Sequence, residues 1–174
     1  VDNKKPIVTI LQIHEEHINS LGKLKVKLDK ESFNDADLPN KKKLLSFIIQ
    51  ELAIYTGGLY KERIMQDSSL KSSNLDNFSE LEKLHKKTLE LFDQSLLLKK
   101  ETGDLFGQII NLGSRGNYLF TARNEYDKAF ECYQEYLSLA DKIGDDASKS
   151  SMNNKIAEYY YKKYSIDETK TDFL

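Results

Sequence analysis

Apolar residues recur along this chain at three- and four-residue steps, the spacing of one face of a helix. Ile7, Leu11, His14, Ile18, Leu21 and Leu28 predict a long helix over about residues 6–29, opened by Pro6 in the first turn, where its missing N–H has no partner to lose. The polar run Glu31–Asn40 reads as a loop. Leu44, Leu45, Ile48, Ile49, Leu52 and Tyr55 predict a second helix from Lys41. Gly57-Gly58 then predicts a break, since two glycines cost about 2 kcal/mol in a helix interior. The pattern resumes weakly at Leu59, Tyr60 and Ile64, and residues 66–77 (QDSSLKSSNLDN) read as an insertion loop. Asn77 with Glu80 forms a candidate capping pair for a third helix. Its stripe is Leu81, Leu84, Thr88, Leu91, Ser95 and Leu98.

Gly103 predicts a left-handed stop for that helix, and Asp104 a cap for the next. The helix of about 105–123 turns Phe106, Ile109, Gly113, Gly116 and Phe120 inward. A turn at Arg123-Asn124-Glu125 leads to a helix over about 126–143, with a facing stripe of Ala129, Tyr133, Tyr136, Leu137 and Ala140. Gly113 and Gly116 are poor helix formers, so a bulky neighbour must pack closely there. Gly144-Asp145 repeats the stop and restart. LLLKKETGD (96–104) lies above LSLADKIGD (137–145) at an offset of 41 residues, and the same offset sets Phe92 on Tyr133, Gly116 on Ala157, Tyr118 on Tyr159 and Phe120 on Tyr161. A helix–turn–helix unit of this length, unable to bury its apolar face alone, predicts an all-α chain: an α-solenoid of antiparallel helix pairs with about six helices.

Leu112-Gly113, Gly116, Phe120, Tyr126-Asp127-Lys128-Ala129 and Tyr133 resemble a tetratricopeptide repeat, in the long variant of about 40 residues that ends in Gly-Asp. The resemblance covers residues 89–145 best and extends to 146–164. It is poor over 41–66, where Arg63 stands near the expected small residue. It implies a right-handed superhelix whose first helices line a concave groove. Carried onto this chain, the implied partner-binding residues are Asn111, Ser114, Arg115, Tyr118, Thr121, Met152, Lys155, Tyr159 and Lys162. The Asn-and-Lys clamp of chaperone-binding relatives is not reproduced at these positions. The resulting division is an N-terminal helix and loop (1–40), a divergent helical pair (41–104), repeat-like helices (105–164) and a tail (165–174). Tyr159-Tyr160-Tyr161 and Tyr164 ring the last helix. One of them belongs in the core. Tyr160 and Tyr164 are candidates for an end surface covered by further repeats or by a homo- or hetero-oligomeric neighbour.

Composition narrows the chemistry. The chain has 174 residues, enough for a continuous core, with 26 basic and 28 acidic residues for a net charge of −2. Its lysines are scattered among carboxylates, which argues against nucleic acid as a partner. The apolar runs are too short for a membrane span, and the lone Cys132 fits a reducing compartment and a buried structural thiol. The start at Val1 suggests a segment of a longer protein. His14-Glu15-Glu16-His17 is the most tempting constellation, but its histidines stand three apart rather than four and no third ligand can be named. Gly113-Ser114-Arg115-Gly116 falls within a helix, away from the strand-to-helix context of a phosphate loop. These features predict no catalysis, cofactor or metal. The expectation is a protein- or peptide-binding scaffold in a larger cytoplasmic complex. Its rivals are a structural subunit of a ciliary or cytoskeletal assembly, a peptide-sensing regulatory domain and a helical enzyme built on His14 and His17.

Overall fold

The computed structural model describes the backbone of residues 4–70 and 75–171 and the side chains of residues 10–66 and 78–165. Among these residues every regular element is an α-helix: α1 (Lys4–Lys30), α2 (Leu38–Leu70), α3 (Leu75–Glu101), α4 (Leu105–Ala122), α5 (Tyr126–Lys142) and α6 (Asp146–Thr171). The chain forms two compact units, Val1–Asp104 and Leu105–Leu174. Within the first, α2 packs against both α1 and α3; within the second, α5 packs against both α4 and α6. Each unit is therefore a run of helices in contact with their sequence neighbours, as an all-α helical-repeat chain should be.

The expected break at Gly57-Gly58 is absent, and α2 runs straight through it. Packing explains the difference. A Cβ added to Gly58 would lie 2.5 Å from His14 Cε1, so the bare backbone lets α1 seat its imidazole against α2. Buried Ala53 and Thr56 before the pair, and Leu59 and Tyr60 after it, anchor the helix on both sides and outweigh the poor local propensity. The first loop is also shorter than expected. Leu38, Pro39 and Asn40 already belong to α2, with Pro39 in the first turn. Asn34 folds the connection by accepting the Asp37 N–H on its side-chain oxygen at 3.0 Å.

The loop expected over 66–77 is helical up to Leu70 and again from Leu75, while residues 71–74 lie outside the described residues. Since α3 begins at Leu75, Asn77 sits inside the helix rather than at its cap, and its side chain is outside the described set. Likewise the expected tail is helical through Thr171.

In the first unit Ile48, Tyr60 and Phe92 are almost wholly buried, and the Ser95 hydroxyl donates to the Ser46 carbonyl at 2.7 Å, tying α3 to α2. Lys99 is buried there too. Burial pushes its ammonium below the ordinary lysine value, against the opposing pull of Asp104 and Glu51.

The second unit interlocks through its glycines. A Cβ on Gly116 would lie 2.5 Å from Tyr133 Cε1, and one on Gly113 would lie 3.1 Å from Tyr136 Cε2. Tyr133 is fully buried and donates its hydroxyl to Asn117 Oδ1 at 3.2 Å; burial raises its phenol above the ordinary range. Phe120 packs edge-on to Tyr126 at 4.9 Å. Phe106, expected inward, is 57 % exposed, because the buried side of α4 passes through Gly107, Ile109, Leu112 and Leu119 instead.

Two helix ends share one construction. Gly103 and Gly144 take φ of +65° and +70°. After α3, the Gly103 N–H reaches the Lys100 carbonyl and the Asp104 N–H reaches the Lys99 carbonyl. After α5, Gly144 bonds Asp141 and Asp145 bonds Ala140 in the same way. Both are Schellman motifs, which satisfy carbonyls that a helix end otherwise leaves unpaired. Asp145 then opens α6 by accepting the Ser148 N–H at 3.0 Å and the Ser148 hydroxyl; these bonds hold its carboxyl below the usual range.

Candidate interaction surfaces

The tyrosines of α6 divide by helical phase. Tyr159 is the core member: its ring stacks on Phe130 at 4.4 Å and its hydroxyl donates to Asp127 Oδ1 at 2.7 Å. Lys163 reinforces this point, with its ammonium 2.9 Å from Tyr159 Oη and 3.3 Å from Asp127 Oδ1. The Tyr159 hydrogen bond, and then Lys163, hold the Asp127 carboxyl below the usual carboxylate range. Tyr160 sets its edge on Phe130 and Tyr159 yet remains 44 % exposed. Tyr161 and Tyr164 are 71 % and 66 % exposed. A cluster of aromatic surface thus stands on a helix that is anchored from its other side.

The nine residues implied by the repeat resemblance do not share one exposed face. Asn111, Tyr118, Met152 and Tyr159 are buried. Met152 Cε lies 4.0 Å from where a Gly113 Cβ would stand, so that side chain fills the interlock. Ser114, Arg115 and Lys155 are half-buried, and Lys155 pairs with Glu158 at 3.2 Å. Thr121 and Lys162 are exposed, although the Thr121 hydroxyl is turned back to the Asn117 carbonyl.

The histidine pair belongs to the packing of α1 on α2. His17 stacks on Tyr55 at 4.5 Å and donates through Nδ1 to the Ile13 carbonyl at 2.7 Å. His14 meets Tyr55 edge-on at 5.7 Å and covers Gly58. Burial lowers the His14 imidazole from its ordinary value, Glu62 opposes that shift and His17 adds to it. Cys132 is buried. Among the described residues no group of three or more His, Cys, Asp and Glu could hold a metal ion, and no helix is long and apolar enough to cross a membrane.

One surface escaped the sequence reading. An open groove of about 680 Å³ lies among α1, α2 and α3. Leu52 and Leu91 line it from α2 and α3, and Ile18 and Val26 from α1. Lys23, Lys25 and Lys87 also border it, and none of its lining residues is a carboxylate. The signal that could have found it is Gly22, a helix-interior glycine whose would-be Cβ has nothing within 4 Å beyond its neighbours and the local helix backbone. Compared with family models, with curated proteins and with solved structures, the chain matches none of them.

Proposed function

We propose that this chain is a non-catalytic protein-interaction module, built of tetratricopeptide-like helical hairpins and working in the cytoplasm as a scaffold within a larger assembly. The observation that carries this reading is the exposed aromatic face of α6. Tyr160, Tyr161 and Tyr164 project from a helix whose opposite side is held by the Tyr159–Phe130 stack and the Asp127–Lys163 pair. Tyrosine supplies large contact area at small entropic cost, and a helix already fixed in place loses little further freedom on binding. The Gly116–Tyr133 interlock falls where the repeat resemblance requires a small residue against an aromatic one, which supports the module type.

The test uses the intact protein, isolated from its source cells with and without Tyr160→Lys and Tyr164→Lys. Both side chains are exposed, so helicity by circular dichroism should be unchanged. Proteins that co-purify stoichiometrically with the wild type, identified by mass spectrometry, should be lost from the double variant. An unchanged set of companions overturns the assignment to this face.

A further inference from the structure

The groove of the first unit has a feature that intrachain packing does not explain. Gly58, Gly113 and Gly116 each have a ring where a side chain would stand, but nothing occupies that place at Gly22. Glycine in a helix interior is unfavourable, and alanine there would meet no clash. Gly22 lines the groove beside Ile18 and Val26, so a side chain there would project into its open space. Opposite them, Leu52 and Leu91, only 6 % and 8 % exposed, form the apolar floor, and the Thr56 hydroxyl is turned away onto the Leu52 carbonyl at 2.6 Å.

Charge indicates what the groove accepts. Lys25 is neutralised by Asp29 at 2.8 Å, whereas Lys23 and Lys87 have no ion-pair partner among the described residues. An apolar channel bordered by two uncompensated ammonium groups, with no carboxylate in its lining, complements a segment with apolar side chains on one side and carboxylates at the flanks. We infer that the α1–α2–α3 groove is a docking site for an acidic amphipathic peptide segment of a protein partner, with its apolar side chains over Gly22, Leu52 and Leu91 and its carboxylates against Lys23 and Lys87. This deepens the interaction-module reading and rests on it, with the groove built from the first unit and the α6 tyrosines from the second.

The test uses the full chain and a fluorescein-labelled peptide of about 14 residues, with Leu and Glu placed at helical spacing. The controls are the same peptide with Lys in place of Glu, and dodecanoate as a small anionic amphiphile. Anisotropy should report binding of the Glu peptide that weakens as salt rises and is at least about tenfold weaker for the Lys peptide. Amide shifts in nuclear magnetic resonance should cluster at Gly22, Val26 and Leu91. Gly22→Phe fills the groove and should abolish binding, while Lys23→Glu with Lys87→Glu should weaken it about tenfold or more without changing helicity. The inference is overturned by no binding of the Glu peptide, by equal binding of the Lys peptide, by affinity that both variants leave intact, or by dodecanoate binding where the peptide does not. Failure here with the tyrosine test positive removes the groove alone; the reverse pattern removes the α6 face alone.

Discussion

At the scale of single residues, the helix-interior glycines show how one side chain of zero size serves opposite ends. Gly116 is fixed by Tyr133 and Gly58 by His14, whereas Gly22 faces open space. Alanine should therefore have opposite effects. Gly116→Ala should destabilise the protein by about 1–3 kcal/mol, because the fully buried Tyr133 ring has little freedom to move. Gly22→Ala should stabilise it by about 0.5–1 kcal/mol through helix propensity. Urea titration of both variants checks the pair. His14 adds a pH dependence. Its folded pKa lies below the ordinary value of 6.5, so the unfolded chain takes up that proton first. Well above that value the group contributes no slope; as the pH falls through it, stability declines until the pH passes the folded value. His14→Gln should flatten the difference in urea midpoint between about pH 7.5 and 5.5 relative to the wild type.

At the scale of elements, the two Gly-Asp ends are the sharpest features. Gly144→Ala places a Cβ on a backbone at φ +70° and should cost about 1–2 kcal/mol, read as a lowered melting temperature. These ends were legible in the sequence because a Schellman motif is local: glycine supplies the conformation, and it and the residue after it donate to carbonyls of the preceding turn. The Gly116 interlock was legible for a similar reason, since a glycine in an otherwise periodic helix demands a neighbour. Gly57-Gly58 misled because its local penalty is offset by α1, a partner many residues away. The polar stretch beginning at Gln66 misled because composition alone does not stop a helix that packing has already started. The repeat resemblance assigned Tyr118 and Tyr159 to a groove face without deciding whether that face meets a ligand or a neighbouring helix, and both are buried. The groove was illegible because three helices must come together before Gly22, Leu52 and Lys87 share a boundary.

At the scale of the whole chain, 26 basic and 28 acidic residues nearly cancel, and the isoelectric point is about 6.0. Self-repulsion is weakest there, so solubility across a pH series at low salt should pass through a minimum near pH 6. The architecture also constrains how such a chain can change in length. At Gly144-Asp145 one helix stops and the next begins with no spare residue between the closing and opening hydrogen bonds. A corner without slack hands any error onward. One residue inserted inside α5 would turn every later side chain by about 100° and swing the Tyr159 anchor away from Asp127. A change in length that keeps the Tyr159 anchor on Asp127 must therefore fall outside the span from Asp127 to Tyr159.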